Sequence, residues 1–325
     1  MTIKIEDRKH YYFYMKNILI TGGAGYIGSK LVTKLLENNF KITVIDSLKF
    51  SGKSLNHLFN NKNLTLFKDD VRNKKLMKKL IKKNEFIIPL AGLVGAPLCE
   101  KYKKEAISVN RDSIKFLMQN ISKKNKIIYL TTNSGYGVGL NNKYCDEHSP
   151  LNPISLYGKT KVDAEKIIMQ YKNVIGFRLA TVFGYSYRMR TDLLVNNFVY
   201  KSIKNKKLTI YEPHFRRNYI HINDVVDAII YSIRNFNYLK SNVYNLGLSS
   251  ANITKYVLAQ KIKKQLKYLK IKIVKNRRDP DQRDYYVSNK KIEKKGFKAK
   301  IKIEDGINEL INVFTLCKEK IINNY

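Results

Sequence analysis

From Lys16 onward, short apolar β-branched runs alternate with stretches in which hydrophobic residues recur every three or four positions. Runs of the first kind suit strands buried on both faces, and stretches of the second kind suit helices with one apolar side. The pattern predicts strands at Asn17–Thr21, Ile42–Asp46, Leu64–Lys68, Phe86–Leu90, Lys126–Thr131 and Val174–Arg178. Between them it predicts helices at Ile27–Glu37, Asn73–Lys83, Ile107–Ile121 and Ser155–Tyr171. Such alternation implies an α/β fold, a Rossmann-type doubly wound parallel sheet covered by helices on both sides. Beyond Arg178 it loosens into loops and helices, with Val243–Leu246 as a returning strand and the turn Gly247–Asn252 opening another helix. The expected organisation is a dinucleotide-binding domain over residues 15–178, rejoined by 217–247, and a smaller C-terminal substrate-binding region made of 179–216 and 248–325. Residues 1–14, aromatic and charged and followed directly by Met15, read as an extension ahead of the first strand.

Composition changes this picture little. A chain of 325 residues can bury a sizeable core. Lys or Asn interrupts every apolar run before it reaches the length of a membrane span, so no membrane partner is expected. Residues 1–14 lack the apolar centre of a secretory signal. Cys99, Cys145 and Cys317 have neither metal-ligand spacing nor a pairing scheme, which points to free thiols in a reducing cytoplasm and to no metal site. The net charge of +36 raises the question of nucleic acid. Of the 62 basic residues, however, 50 are Lys spread along nearly every segment, and no nucleic-acid-reading module is present. The 12 Arg residues are distributed differently: nine lie between Arg178 and Arg283, where an anionic substrate can be held.

The first strand runs into Thr21-Gly22-Gly23-Ala24-Gly25-Tyr26-Ile27-Gly28. Gly22, Gly25 and Gly28 let the chain turn sharply, bring backbone amides against a pyrophosphate, and let the next helix pack close to the sheet. The helix N-terminus adds partial positive charge. Asp46 ends the second strand, where a carboxylate accepts hydrogen bonds from an adenosine ribose diol and repels the extra phosphate of NADP. NAD is the expected cofactor. Farther on, Tyr157 and Lys161 stand four residues apart on one face of a predicted helix, and an ammonium near a phenol favours the phenolate below its ordinary pKa of about 10. By itself such a pair is common in a chain with 23 Tyr and 50 Lys.

The glycine spacing resembles the extended short-chain dehydrogenase/reductases, the NAD-dependent epimerase/dehydratase family, and further matches follow in order. The resemblance implies cofactor contacts from Tyr26 and Ile27 within the turn, from Asp70 with Val71 at the adenine, from Leu90-Ala91-Gly92 beneath the cofactor, and from Asn110. It also implies a catalytic triad of Thr132, Tyr157 and Lys161, with Lys161 on the nicotinamide ribose. In this reading Tyr157 takes the proton of a sugar hydroxyl, typically at C4, and Thr132 stabilises the oxygen on which charge develops. Dehydratases of the family carry Asp-Glu after the Thr, and decarboxylases carry Glu where Ser134 stands. Asn133 and Ser134 can do neither job, and they read instead as substrate contacts. Thr181 stands where the family usually has an Asn touching the substrate diphosphate. Arg217 and Arg283 match phosphate ligands, since guanidinium forks suit paired phosphate oxygens. Asn196 and Asn197, at a helix start, are placed to reach the sugar. Arg188 is a further candidate substrate contact, although it, Arg190, Arg277 and Arg278 also suit surface salt bridges. His221 reads as a loop-ordering residue.

Over Pro89–Pro97, Thr132–Gly139, Arg178–Arg190, His214–Asp224 and Leu246–Asn252 the chain resembles most the GDP-linked heptose 4-dehydrogenases of bacterial capsule biosynthesis. This resemblance implies oxidation at C4 of a nucleotide-linked sugar, GDP-D-glycero-D-manno-heptose, to a 4-keto sugar for surface polysaccharide. The alternatives are a nucleotide-sugar 4-epimerase and, from another class, a non-catalytic NAD-binding sensor or scaffold. The resemblance further implies a homodimer joined through the helices at Ile107–Ile121 and Ser155–Tyr171. Ile107, Ile114, Leu117, Met118 and Ile121 supply the apolar spacing, which equally suits the monomer's own core.

Overall fold

The structure, a computed structural model, describes residues 16–139, 143–274 and 283–316. The readings of residues 1–14, Arg277, Arg278 and Cys317 lie outside them. Seven parallel strands form the central sheet: β1 Asn17–Thr21, β2 Lys41–Asp46, β3 Leu64–Lys68, β4 Phe86–Pro89, β5 Lys126–Thr132, β6 Val174–Leu179 and β7 Asn242–Leu246. Their spatial order is β7-β6-β5-β4-β1-β2-β3. β1 is central, with Ile18 opposite Ile42 on one side and Phe86 on the other. The order reverses there, which opens a crevice at the carboxyl ends of β1 and β4.

Successive side chains leave a strand on opposite faces, and the two cores divide accordingly. Ile18, Ile20, Val44, Phe86, Ile88, Ile128 and Phe177 meet Leu31 and Leu35 of the helix Tyr26–Glu37 and Val225 and Ile229 of the helix Ile222–Arg234. Leu19, Ile45, Ile87, Ile127, Tyr129 and Val174 meet Met77, Leu80 and Ile81 from one helix, Ile114 and Leu117 from another, and Ala164 and Ile168 from a third. Both faces of β1 are closed, hence its unbroken apolar run.

Two predicted helix starts are caps instead. Asn73 accepts from Leu76 N at 3.1 Å ahead of Lys74–Lys83, and Ser155 accepts from Gly158 N at 3.1 Å ahead of Leu156–Ile168. The helix expected at Ile107–Ile121 begins earlier, as Lys103–Ile107, passes through a π turn at Ser108–Asp112, and continues as Ser113–Asn120. Of its five apolar residues, Ile114 and Leu117 are buried in the chain's own core, while Ile107, Met118 and Ile121 stay half-buried.

Among the described residues, the stretch past β6 forms two small sheets of its own that the hydrophobic pattern did not reveal, and Tyr286–Val287 pairs back with Tyr144–Cys145. Thr181–Phe183 pairs in parallel with Arg216–His221, which pairs antiparallel with Asn252–Thr254. Lys207–Tyr211 pairs with Lys270–Val274. Within residues 217–247, only β7 joins the central sheet, and the strand Arg216–His221 belongs to the smaller one. Among the described residues no helix is long and apolar enough to cross a membrane, and no His/Cys/Asp/Glu group is arranged to hold a metal.

Candidate active site

A cavity of about 1160 Å³ lies over the carboxyl ends of the strands. One end is the glycine turn. Gly22 has φ +72°, and a Cβ there would stand 2.6 Å from Ala91 N; a Cβ on Gly28 would stand 2.3 Å from Gly22 O. Only glycine permits both the turn and this approach. The helix Tyr26–Glu37 starts with no side-chain cap and no acid in its first turn, so its positive end is presented to the cavity. Asp46 holds the turn in place, accepting from Ala24 N at 2.9 Å and from Leu48 N at 2.8 Å. Burial raises its pKa above the ordinary carboxylate value, against the pull of those two amides. Asp70 lines the same end, and its ion pair with Arg72 at 2.7 Å holds its pKa low.

The loop from β4 forms the floor with Leu90, Ala91 and Gly92. Asn110, projecting from the π turn, clamps this loop by accepting from Leu93 N at 2.8 Å and donating to Leu93 O at 2.9 Å. Cys99, beside it, is a buried thiol whose pKa burial pushes up to about 11.

Thr132 ends β5, and Tyr157 and Lys161 project from the Ser155-capped helix into the same cavity. Lys161 Nζ rests 4.3 Å from the ring centre of Tyr129, and burial brings its pKa down to about 7, partly offset by Glu165 one turn on. Burial raises the Tyr157 pKa. The largest opposing influence is the Arg190 guanidinium, and Arg283 and a hydrogen bond to Thr132 act in the same direction. The expectation that Lys161 would be the cation acting on Tyr157 is therefore modified: the charges that lower the phenol's pKa are those of Arg190 and Arg283, and burial lowers the pKa of Lys161 toward neutrality.

The other end of the cavity is cationic. Arg188, Arg190, Arg217, Lys255 and Arg283 line it, with Thr181 and Asn197. Arg217 donates to Arg216 O at 2.8 Å and to Arg283 O, and an Arg216–Asp284 ion pair at 2.9 Å pins that segment alongside. Arg190, read from the sequence as a surface residue, is buried and paired with Asp192. Lys255 went unnoticed in the sequence; it is buried at the first position of the helix Lys255–Gln265.

Among the site residues read from the sequence, only Asn133 and Asn196 fail to line the cavity. Asn133 is buried, 1 % exposed, and its amide has no hydrogen-bond partner among the described residues. Asn196 is an internal brace, accepting from Gly184 N at 3.1 Å and donating to Arg190 O at 2.8 Å. Tyr26 lines the cavity, but its hydroxyl donates to Gly184 O. His221 Nδ1 accepts from Asn223 N, so its Nε2 carries the proton and faces Glu309 at 2.8 Å, an arrangement that orders the loop.

Residues 18–247 match the NAD dependent epimerase/dehydratase family. The chain belongs to that family. It is 26% identical over 340 residues to UDP-glucose 4-epimerase 2 of Arabidopsis thaliana, covering 91% of this chain and 94% of that one. It is 29% identical over 307 residues to UDP-glucuronic acid decarboxylase 3 of the same plant, covering 89% and 86%. Among solved structures, UDP-glucose 4-epimerase with UDP-glucose from Thermotoga maritima superposes with a TM-score of 0.80 at 23% identity, over 93% of this chain and all of that one. The protein is thus an NAD-dependent oxidoreductase of the extended short-chain type, with nucleotide-sugar epimerase/dehydratase-type activity. Its residues fit that cofactor. The backbone cradle at Gly22 and Gly28, which a Cβ would fill, and the uncapped helix end suit a pyrophosphate, and Asp46 retains lone pairs for a ribose diol.

Proposed function

We propose that the protein oxidises C4 of a nucleotide-linked sugar, GDP-D-glycero-D-manno-heptose by its sequence resemblance, to a 4-keto sugar for surface polysaccharide. Bound NAD supplies the hydride acceptor. Tyr157 takes the proton of the sugar hydroxyl, with Thr132 and Ser134 as neighbouring hydrogen-bonding groups and Lys161 one helical turn away. Arg217, with Arg188 and Arg283 at the same end, offers guanidinium groups to the diphosphate, and Thr181 and Asn197 line the space between.

The observation that carries this reading is what stands next to Thr132. Asn133 does not line the cavity, and Ser134 brings a hydroxyl to it. Elimination of water or loss of CO2 calls for a positioned acid or base there. The cavity acids are Asp46, Asp69 and Asp70 at the glycine-turn end, Glu100 and Glu105, ion-paired with Lys103 and Lys49, and Asp192, paired with Arg190. The convergence of Thr132, Tyr157 and Lys161 on one cavity also argues against a non-catalytic sensor or scaffold. We further infer a cytoplasmic homodimer joined through the helices around Ile107–Ile121 and Ser155–Tyr171, as the sequence resemblance implies. A monomer by light scattering at micromolar concentration would remove the dimer.

The deciding experiment incubates the purified protein and NAD with GDP- and UDP-linked hexoses and heptoses and identifies products by NMR. A 4-keto product accompanied by NADH supports the proposal. Interconversion of C4 epimers without net NADH establishes the epimerase instead.

A further inference from the structure

The sequence resemblance assigns Arg283 to the substrate diphosphate, yet its guanidinium also reaches the reaction centre. Nη1 of Arg283 donates to Ser134 Oγ. The same oxygen accepts the Thr132 hydroxyl at 3.0 Å, and Ser134 N donates to Thr132 Oγ1 at 3.1 Å. The Thr132 hydroxyl also acts on the neighbouring Tyr157 phenol, lowering its pKa against burial. Four side chains from three separate parts of the chain therefore form one line: Arg283, Ser134, Thr132, Tyr157.

The two ends of this line differ chemically. A guanidinium only donates, and each hydroxyl in the middle has one hydrogen to give. With Thr132 donating to Ser134, Thr132 Oγ1 is left to accept from Tyr157, which suits a neutral phenol. The line can also run the other way, Ser134 donating to Thr132 and Thr132 to Tyr157. That direction is satisfied at its far end only when the Tyr157 oxygen accepts, as a phenolate does. A fixed cationic donor on Ser134 favours the second direction, because it repels hydroxyl hydrogens pointed toward it.

We infer that Arg283 is a positioning residue of the proton-transfer step, acting through Ser134 and Thr132 to present a hydrogen-bond donor to the Tyr157 oxygen when that oxygen is deprotonated. The inference rests on reading Tyr157 as the acid–base group. Its electrostatics agree: Arg283 and the Thr132 hydrogen bond both lower the Tyr157 pKa against burial. Arg217, beside Arg283, remains for the diphosphate.

Two measurements separate this role from simple phosphate binding. The first needs no sugar. Tyrosinate absorbance is titrated with the protein saturated in NAD, and each protein is compared with its own Tyr157→Phe counterpart, which isolates Tyr157. Arg283→Gln and Ser134→Ala should each move the Tyr157 ionisation upward by about one pH unit or more, the double variant no further, and Arg283→Lys should recover most of the change. The second uses the nucleotide sugar that gives product in the screen. At neutral pH kcat should fall about tenfold per unit of that shift, with KM changed less than about threefold. An unmoved Tyr157 titration in both Arg283→Gln and Ser134→Ala, with KM alone raised in the former, overturns the inference and leaves Arg283 a phosphate ligand. If no nucleotide sugar reacts, the substrate reading fails, and the titration still decides the role of Arg283.

Discussion

The hydroxyl of Tyr26 donates to the backbone carbonyl of Gly184 at 2.7 Å, across 158 positions of sequence. Asn196 donates to the same hydroxyl at 3.3 Å, and Ser186 donates to Tyr26 O at 2.6 Å. The glycine turn is thereby fastened to the loop that carries Arg188 and Arg190. All of these groups are buried, and burial pushes the Tyr26 phenol well above its ordinary pKa, so it remains a neutral donor throughout the working range.

Tyr26→Phe should therefore disturb both ends of the cavity at once. It leaves the Gly184 carbonyl and one Asn196 donor without a partner, at a cost of about 1–3 kcal/mol in folding stability. We expect a lower urea midpoint, weaker NAD binding and a raised KM for the sugar nucleotide. Unchanged stability, measured by urea denaturation followed by circular dichroism, would show that the bond contributes nothing net.

Lys161 predicts a pH dependence of stability. Its pKa falls from 10.5 in the unfolded chain to about 7 in the fold, because of burial. At pH values below about 7 both states hold the proton, and the native state bears the full cost of a buried ammonium. Between about 7 and 10.5 the unfolded chain binds the extra proton, so this group's contribution to stability rises with pH. Lys161→Met should accordingly be more stable than the natural protein below neutrality, with an advantage that shrinks toward pH 10. Urea midpoints of the two proteins across that range give the comparison, and a constant difference would count against the shift.

The central sheet was legible because each strand is buried on both faces and sits between helices, which leaves a strong apolar signature such as Ile18-Leu19-Ile20. The site was legible where chemistry sits in a short motif, as at Gly22–Gly28 or at Tyr157 and Lys161. The small sheets were not, since strands such as Arg216–His221 carry Arg216, Arg217 and Asn218 and are set by long-range pairing. Arg190 was misplaced for a related reason: a guanidinium in sequence looks exposed, and its burial depends on Asp192 and on the fold around it. Asn196 and Asn197 show the same limit. They are adjacent, but only Asn197 lines the cavity, and the helix rotation that decides this is fixed by the packing of Val195, Phe198 and Val199.

Asp46 does two things, and one substitution can separate them. Asp46→Asn keeps an oxygen for Ala24 N or Leu48 N but removes the charge that repels a ribose phosphate. The NAD/NADP affinity ratio should fall at least about tenfold, equivalent to about 1.4 kcal/mol, with only a modest loss of stability. Dissociation constants for both nucleotides by fluorescence titration test this. A ratio that does not move would mean that the Asp46 carboxylate does not set the preference.

Tyr157→Phe removes one oxygen from the site and leaves a ring of nearly the same volume. The glycine turn, Asp46 and the Leu90–Gly92 floor do not depend on that oxygen, so NAD affinity should stay within about threefold. Turnover should fall at least about a thousandfold, the upper part of the range for loss of a positioned acid–base group. Thr132→Ala should cost less, because Thr132 only shares in stabilising the oxygen, and a surviving hydroxyl at Ser134 lies close by. The natural protein decides the outcome of the reaction. With no elimination or decarboxylation group beside Thr132, a dehydrogenase should accumulate NADH with its sugar substrate until an oxidant such as a 2-oxo acid is added, whereas an epimerase should show none. NADH absorbance followed before and after that addition distinguishes the two. Net NADH formation that persists in Tyr157→Phe would remove Tyr157 from the mechanism altogether.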